Sequence, residues 1–159
     1  MDQNVQKERL LRYFQEAQRH IAKLQGVCDA LQEVMPLDEK RYAALNETQL
    51  DKLDVMVFRF SKLQDVLGRK LFRALLAYGG EDVDVGFVDI LAMMEREGLL
   101  EASEWLALRD ARNAVAHDYP DEEDRLLEEL NFIYTHIAYL EALTQRLQRY
   151  VDAIESLRN

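Results

Sequence analysis

One short stretch of the sequence gathers side chains that can move a proton and hold an anion: Arg112-Asn113-Ala114-Val115-Ala116-His117-Asp118-Tyr119. Histidine titrates near neutral pH and can accept or donate a proton. Arginine keeps its charge and presents a fork of donors that matches anionic oxygens. Asn113 adds an amide that can orient either neighbour. A plainer reading competes with this one. A His near a helix C-terminus is favoured by the helix dipole by ~0.3–1 kcal/mol, and an Arg five residues before it is common by chance in a chain this rich in Arg.

The positions narrow what the stretch can do. On a helix, Asn113 and His117 lie about 40° apart on one face, whereas Arg112 and His117 are separated by about 140°. A joint site therefore needs a bend near Pro120 or a contribution from a second copy of the chain. Ala111, Ala114, Val115 and Ala116 are small and allow close approach of another helix. Asp118 and the acids at 121–124 have two open roles. They can favour a protonated His117, or complement the positive end of the helix that follows.

The elements that must carry this stretch are helices. The chain has 159 residues, 48% hydrophobic and 31% charged, with six Gly and two Pro. That size and composition suit one globular domain spanning 1–159 and built from long helices. Apolar residues from Leu10 to Leu31 recur at three- and four-residue steps, predicting a helix over 5–35 that stops before Pro36. After a connector at 36–46, Thr48-Gln49-Leu50-Asp51 has the form of a capping box. A second helix follows it to Gly79-Gly80. A short third helix covers 87–97 and stops at Gly98; a fourth starts near Ser103 and carries Trp105 and Leu108 to His117. The last spans about 121–157 on a face of Leu126, Leu130, Ile133, Ile137, Leu140, Leu143, Leu147, Val151 and Ile154. The expected fold is all-α, an up-and-down bundle of about five helices without a strand.

The single Cys28 leaves no internal disulfide and no thiolate zinc site. The charged N-terminus lacks the apolar core of a signal peptide, and no apolar run reaches the ~20 residues of a membrane span. A cytoplasmic protein is expected. The net charge of −10 opposes a general affinity for nucleic acid, which then requires a local basic patch.

The octet, at the end of a fourth helix in an acidic helical chain, resembles the HEPN superfamily, and within it the HepT-like toxins paired with minimal nucleotidyltransferases. Phe87-Val88-Asp89-Ile90-Leu91, Glu97-Gly98-Leu99-Leu100 and Trp105 are also similar to that family. The resemblance implies a dimeric endoribonuclease toxin that needs no metal or other cofactor, in a type VII-like toxin–antitoxin pair. It assigns Arg112 and His117 to catalysis across the dimer, with Asn113 supporting them, and makes Tyr119 the target of adenylylation by the antitoxin; a supporting role for Asp118 follows only from its place beside His117. Such chemistry is reasonable: RNA can be cleaved by its own 2′-hydroxyl, so the protein need supply only a proton-transfer group and a cation. AMP on Tyr119 would add negative charge and bulk that repel RNA. The expected partners are a second copy, the nucleotidyltransferase and RNA, with neither membrane nor DNA.

One more pattern favours RNA. Arg59, Lys62, Arg69, Lys70 and Arg73 fall within a ~100° arc of the second helix if that helix is unbroken. A solvated face, or a surface for an acidic partner, is the alternative. His20 and His136 have no ligand-spaced partners and read as surface or boundary residues; Cys28, Met93, Met94 and Trp105 read as core. Two other functions remain open for the whole chain: a non-catalytic nucleotide-binding partner subunit of a nucleotidyltransferase, and a purely structural dimerisation bundle.

Overall fold

The computed structural model describes residues 2–116 and 123–159. Helix α1 (Gln3–Leu31) begins where the Asp2 carboxylate accepts a bond from the Asn4 amide at 3.0 Å. Its buried stripe is Leu10, Phe14, Ala17, Ile21, Leu24, Val27 and Leu31, spaced to meet one neighbouring face. Val27 takes the core position expected of Cys28. The half-buried Cys28 thiol is pushed up to about 11 by desolvation, with Asp29 adding to it. α1 ends at Leu31, before its proline; a turn follows, then a cis Met35–Pro36 bond.

The connector is more ordered than its sequence suggests. Asp38 caps a short helix, α2 (Glu39–Ala43), by accepting from Arg41 N–H at 2.7 Å. Asn131 holds the same segment from across the bundle: its Oδ1 accepts from Leu37 N–H at 2.7 Å and its Nδ2 donates to Leu37 C=O at 2.9 Å.

Helix α3 (Glu47–Asp65) starts with a capping box, but the residues are Asn46 and Gln49 rather than Thr48 and Asp51. The Asn46 side chain accepts from Gln49 N–H at 2.8 Å, and Gln49 Oε1 reaches back to Asn46 N–H at 2.9 Å. Gln49 sits three residues after the cap and is long enough to return to it.

A π-helical turn (Val66–Leu71) joins α3 to helix α4 (Phe72–Tyr78) without a break in the rod. Its signature is the Phe72 amide, which donates to Leu67 C=O five residues back. Gly68 lies within this turn, and a Cβ there would stand 2.7 Å from Cζ2 of Trp105. The absence of a side chain is what lets the turn press against that indole. Trp105 in turn meets Phe72 edge-on, with ring centroids 4.6 Å apart.

α4 and helix α5 (Phe87–Arg96) end alike. Gly80 and Gly98 adopt φ of 94° and 72°, and the next residues, Glu81 and Leu99, donate to Leu76 and Met94 carbonyls. These are Schellman caps, with buried Leu99 following α5 against Met94. Helix α6 (Ala102–Val115) starts one residue before the expected cap, Ser103, and no side chain caps it; instead the Ala102 amide donates to Glu95 Oε1 at 3.1 Å.

The longest helix, α7 (Glu123–Arg158), closes the bundle. Its buried face begins at Leu127; Leu126, expected inside, is 38% exposed. One hydrophobic cluster runs through α1, α3, the π turn and α4–α7. Among the described residues there is no strand, and no helix is long and apolar enough to cross a membrane.

Candidate functional site

α6 positions the first half of the sequence motif. Trp105, Leu108 and Ala111 face the core, which turns Arg109, Arg112 and Asn113 toward the groove beside the π turn. Ala111 spends its small size on packing within its own chain, where it is buried, while Ala114 and Val115 are half-buried.

A cavity of about 340 Å³ opens in that groove. From α6 it is lined by Trp105, Arg109, Arg112 and Asn113, and from the opposite rod by Gln64, Asp65, Gly68, Arg69 and Arg73, with Phe87 at one side. Four guanidinium groups thus surround one carboxylate in a chain whose net charge is −10. That is a local reversal of field of the kind that favours an anion.

The carboxylate is Asp65. Its Oδ2 accepts from Arg112 Nη2 at 3.3 Å, and its Oδ1 lies 4.0 Å from Arg69 Nε. Arg112 is half-buried with its side chain 27% exposed, and its buried Nε has no partner among the described residues. A buried guanidinium N–H without an acceptor is costly, so Arg112 has donor capacity to give to a ligand. Arg69 projects outward, 78% exposed. The Arg109 guanidinium lies 5.4 Å from the centroid of the Phe87 ring, which supports it on one side. Arg73 has a second duty: its Nη1 donates to the carbonyls of Val83 and Val85 and ties down the segment between α4 and α5.

The five cations of the expected stripe are divided by these contacts. Arg69 and Arg73 join Arg112 and Asn113 at the cavity, whereas Arg59 and Lys62 do not. The expected arc requires an unbroken α-helix, and the π turn interrupts that register between Lys62 and Arg73. Arg59 is half-buried, with Nη1 3.2 Å from His20 Nδ1; both it and Lys62 approach the Phe58 ring. Lys70 pairs with Glu16 at 3.5 Å and lies 5.8 Å from the Tyr13 ring centroid.

His20 is a buried residue rather than a surface one. Burial lowers its pKa below 6.5, and Arg59 lowers it further, against an opposing push from Glu16. Arginine can only donate, so Nδ1 accepts and the proton sits on Nε2, 3.9 Å from Glu16 Oε1. His136 is half-buried and stacks on Phe132 with centroids 3.9 Å apart.

His117, Asp118 and Tyr119 lie outside the described residues, as do Pro120 and the acids at 121–122. α6 ends at Val115, two positions before His117 in the sequence. Sequence reasoning missed Arg109 and Asp65. Arg109 had a usable signal, since it lies three residues before Arg112 and four before Asn113 on one helical face. Asp65 had none, because its partner is on a different helix. Among the described residues no three His, Cys, Asp or Glu side chains gather closely enough to hold a metal ion.

No family model, curated protein or solved structure matches this chain.

Proposed function

We propose that the chain is a HEPN-like, HepT-type endoribonuclease, in which the arginine-lined cavity receives the RNA phosphate and His117 transfers the proton. The observation that carries this reading is the cavity itself: Arg112 and Asn113, from the sequence motif, stand with Arg69, Arg73 and Arg109 around one space. Arg112 binds a non-bridging phosphate oxygen and stabilises the charge that builds there as the 2′-oxygen loses its proton and bonds to phosphorus, while the P–O5′ bond breaks and the 5′-oxygen leaves with a proton. Asn113 steadies the phosphate, and Asp118 acts beside His117. The chain acts as a homodimer, and a minimal nucleotidyltransferase adenylylates Tyr119 to switch it off.

The test is RNA cleavage in the presence of a chelator by wild type, Arg112→Ala and His117→Ala, with growth arrest on expression as a second readout. Wild-type cleavage with both variants silent is the expected result; equal activity in all three overturns the assignment.

A second reading has its own support. A cavity of about 340 Å³, walled by Phe87 and Trp105 as well as cations, is within the size range of small-molecule sites. It suits a non-catalytic subunit that binds a nucleotide for a nucleotidyltransferase partner. Saturable AMP or ATP binding by calorimetry, without RNA cleavage at any enzyme concentration, would favour it.

A further inference from the structure

A second cavity, of about 280 Å³, is also lined by Arg69 and Arg73. Those two arginines line both cavities, so the two spaces share a wall. The remaining lining of the second cavity comes from Gln6, Arg9 and Tyr13 on α1, and from Lys70, Ala74, Ala77 and Val83. Among the described residues its lining has no carboxylate, although Glu16 lies 3.5 Å from Lys70. Taken together, and among the described residues, the two cavities are lined by Arg9, Arg69, Lys70, Arg73, Arg109 and Arg112 and by one acid, Asp65, with Glu16 beside Lys70. In a chain with 30 acidic and 20 basic residues, six of the cations line these two neighbouring spaces.

We infer that this path is a track for a single-stranded RNA, with the α1 cavity holding the nucleotide next to the one in the Arg112 cavity. The inference rests on the RNA reading above for the identity of the strand. Arg9 and Tyr13 are four residues apart on α1 and therefore share a face. Arg9 makes no ion pair or hydrogen bond among the described residues, so its guanidinium has all its donors for phosphate oxygens. Tyr13 is half-buried, so its ring is held while part of it remains open to solvent. An aromatic ring beside cations is the combination that binds unpaired bases without regard to sequence. A duplex would present its bases edge-to-edge and leave Tyr13 without a stacking partner. Lys70 is held over Tyr13 by Glu16 at 3.5 Å, an exposed pair worth little and therefore easily exchanged for a phosphate.

The test uses fluorescein-labelled 2′-O-methyl oligouridylates of two and six nucleotides, which cannot be cleaved, and fluorescence anisotropy. Wild type should bind the longer strand at least about fivefold more tightly than the shorter, the lower end of one stacked base. In Arg9→Gln/Lys70→Gln that gain should vanish, and the slope of log Kd against log salt should fall by about 1.4 for two lost contacts. Arg9→Gln alone, which leaves the Lys70–Glu16 pair in place, should lose part of the gain and guards against a folding defect in the double variant. An equal length dependence in wild type and both variants overturns the inference, as does failure of wild type to bind the longer strand. The two readings separate cleanly. Length-dependent binding without cleavage retains the track and removes the enzyme; His117-dependent cleavage without length dependence does the reverse.

Discussion

Arg59 and Lys62 stand before the π turn, Arg69 and Arg73 after it, and the two pairs serve different ends. Before the turn, Arg59 is absorbed into the packing of α3 on α1, donating to a buried His20, and both cations lie near the exposed Phe58 ring. After it, Arg69 reaches into solvent and Arg73 spans two cavities while gripping the backbone at 83 and 85. Equal charge on one rod does not imply equal function. What separates the pairs is the neighbour opposite: a histidine and a phenylalanine in one case, a helix bearing two further arginines in the other.

The sharpest way to break this contrast is to compare substitutions across the turn. Arg112→Ala should lower RNA cleavage by about 10²–10³-fold, the cost of removing one preorganised donor. Arg69→Ala should fall in the same direction in a single-turnover assay. Arg59→Ala and Lys62→Ala should leave cleavage within about threefold, as expected of positions away from the chemistry. A comparable loss on both sides of the turn would merge the two regions again.

Gly68→Ala probes the turn that divides them. A Cβ 2.7 Å from the Trp105 indole must displace a buried ring. We expect a loss of about 1–3 kcal/mol in urea unfolding, together with reduced cleavage, because Trp105 and Gly68 both line the cavity. Unchanged stability would mean that the turn can shift without disturbing α6.

Arg73→Ala should cost about 1–3 kcal/mol by leaving the Val83 and Val85 carbonyls without their charged donor. Arg69→Ala, which carries no such duty, should change stability far less.

The region before the turn has its own signature in pH. The folded pKa of His20 lies below 6.5, so the unfolded chain takes up the proton first as pH falls. The stability that His20 contributes is complete above about 6.5 and declines as pH drops toward its folded value. Urea midpoints should therefore fall on acidification, and His20→Gln should flatten part of that fall. An identical pH profile in the variant would show that the imidazole is not the group responsible.

Much of this architecture was legible in the sequence because it is periodic. The apolar steps of α1 and α7 and the glycine stops at 80 and 98 follow from local rules, and the helices form where those rules place them. Cap identities and phases were less secure: Asn46 replaced Thr48, and Leu127 replaced Leu126, because one residue decides which side chain can reach back or face inward. The π turn left no trace, since Val66–Leu71 has the apolar spacing of ordinary helix. Arg112 and Asn113 stand out in the sequence by side-chain type and by the resemblance of the octet that holds them. Their cavity does not, because Asp65, Arg69 and Phe87 reach it only through tertiary packing. The pairing of Arg9 and Tyr13 with Lys70 spans more than fifty residues and was invisible for the same reason.

If the cavity takes an anion as proposed, the contact between Asp65 and Arg112 bears on which anions it would select. Arg112 is already occupied by a carboxylate, so an incoming carboxylate merely exchanges one such partner for another. A phosphodiester in the same place can engage several guanidiniums at once. On the proposed reading, the built-in acid would compete with abundant organic acids and favour multidentate oxyanions.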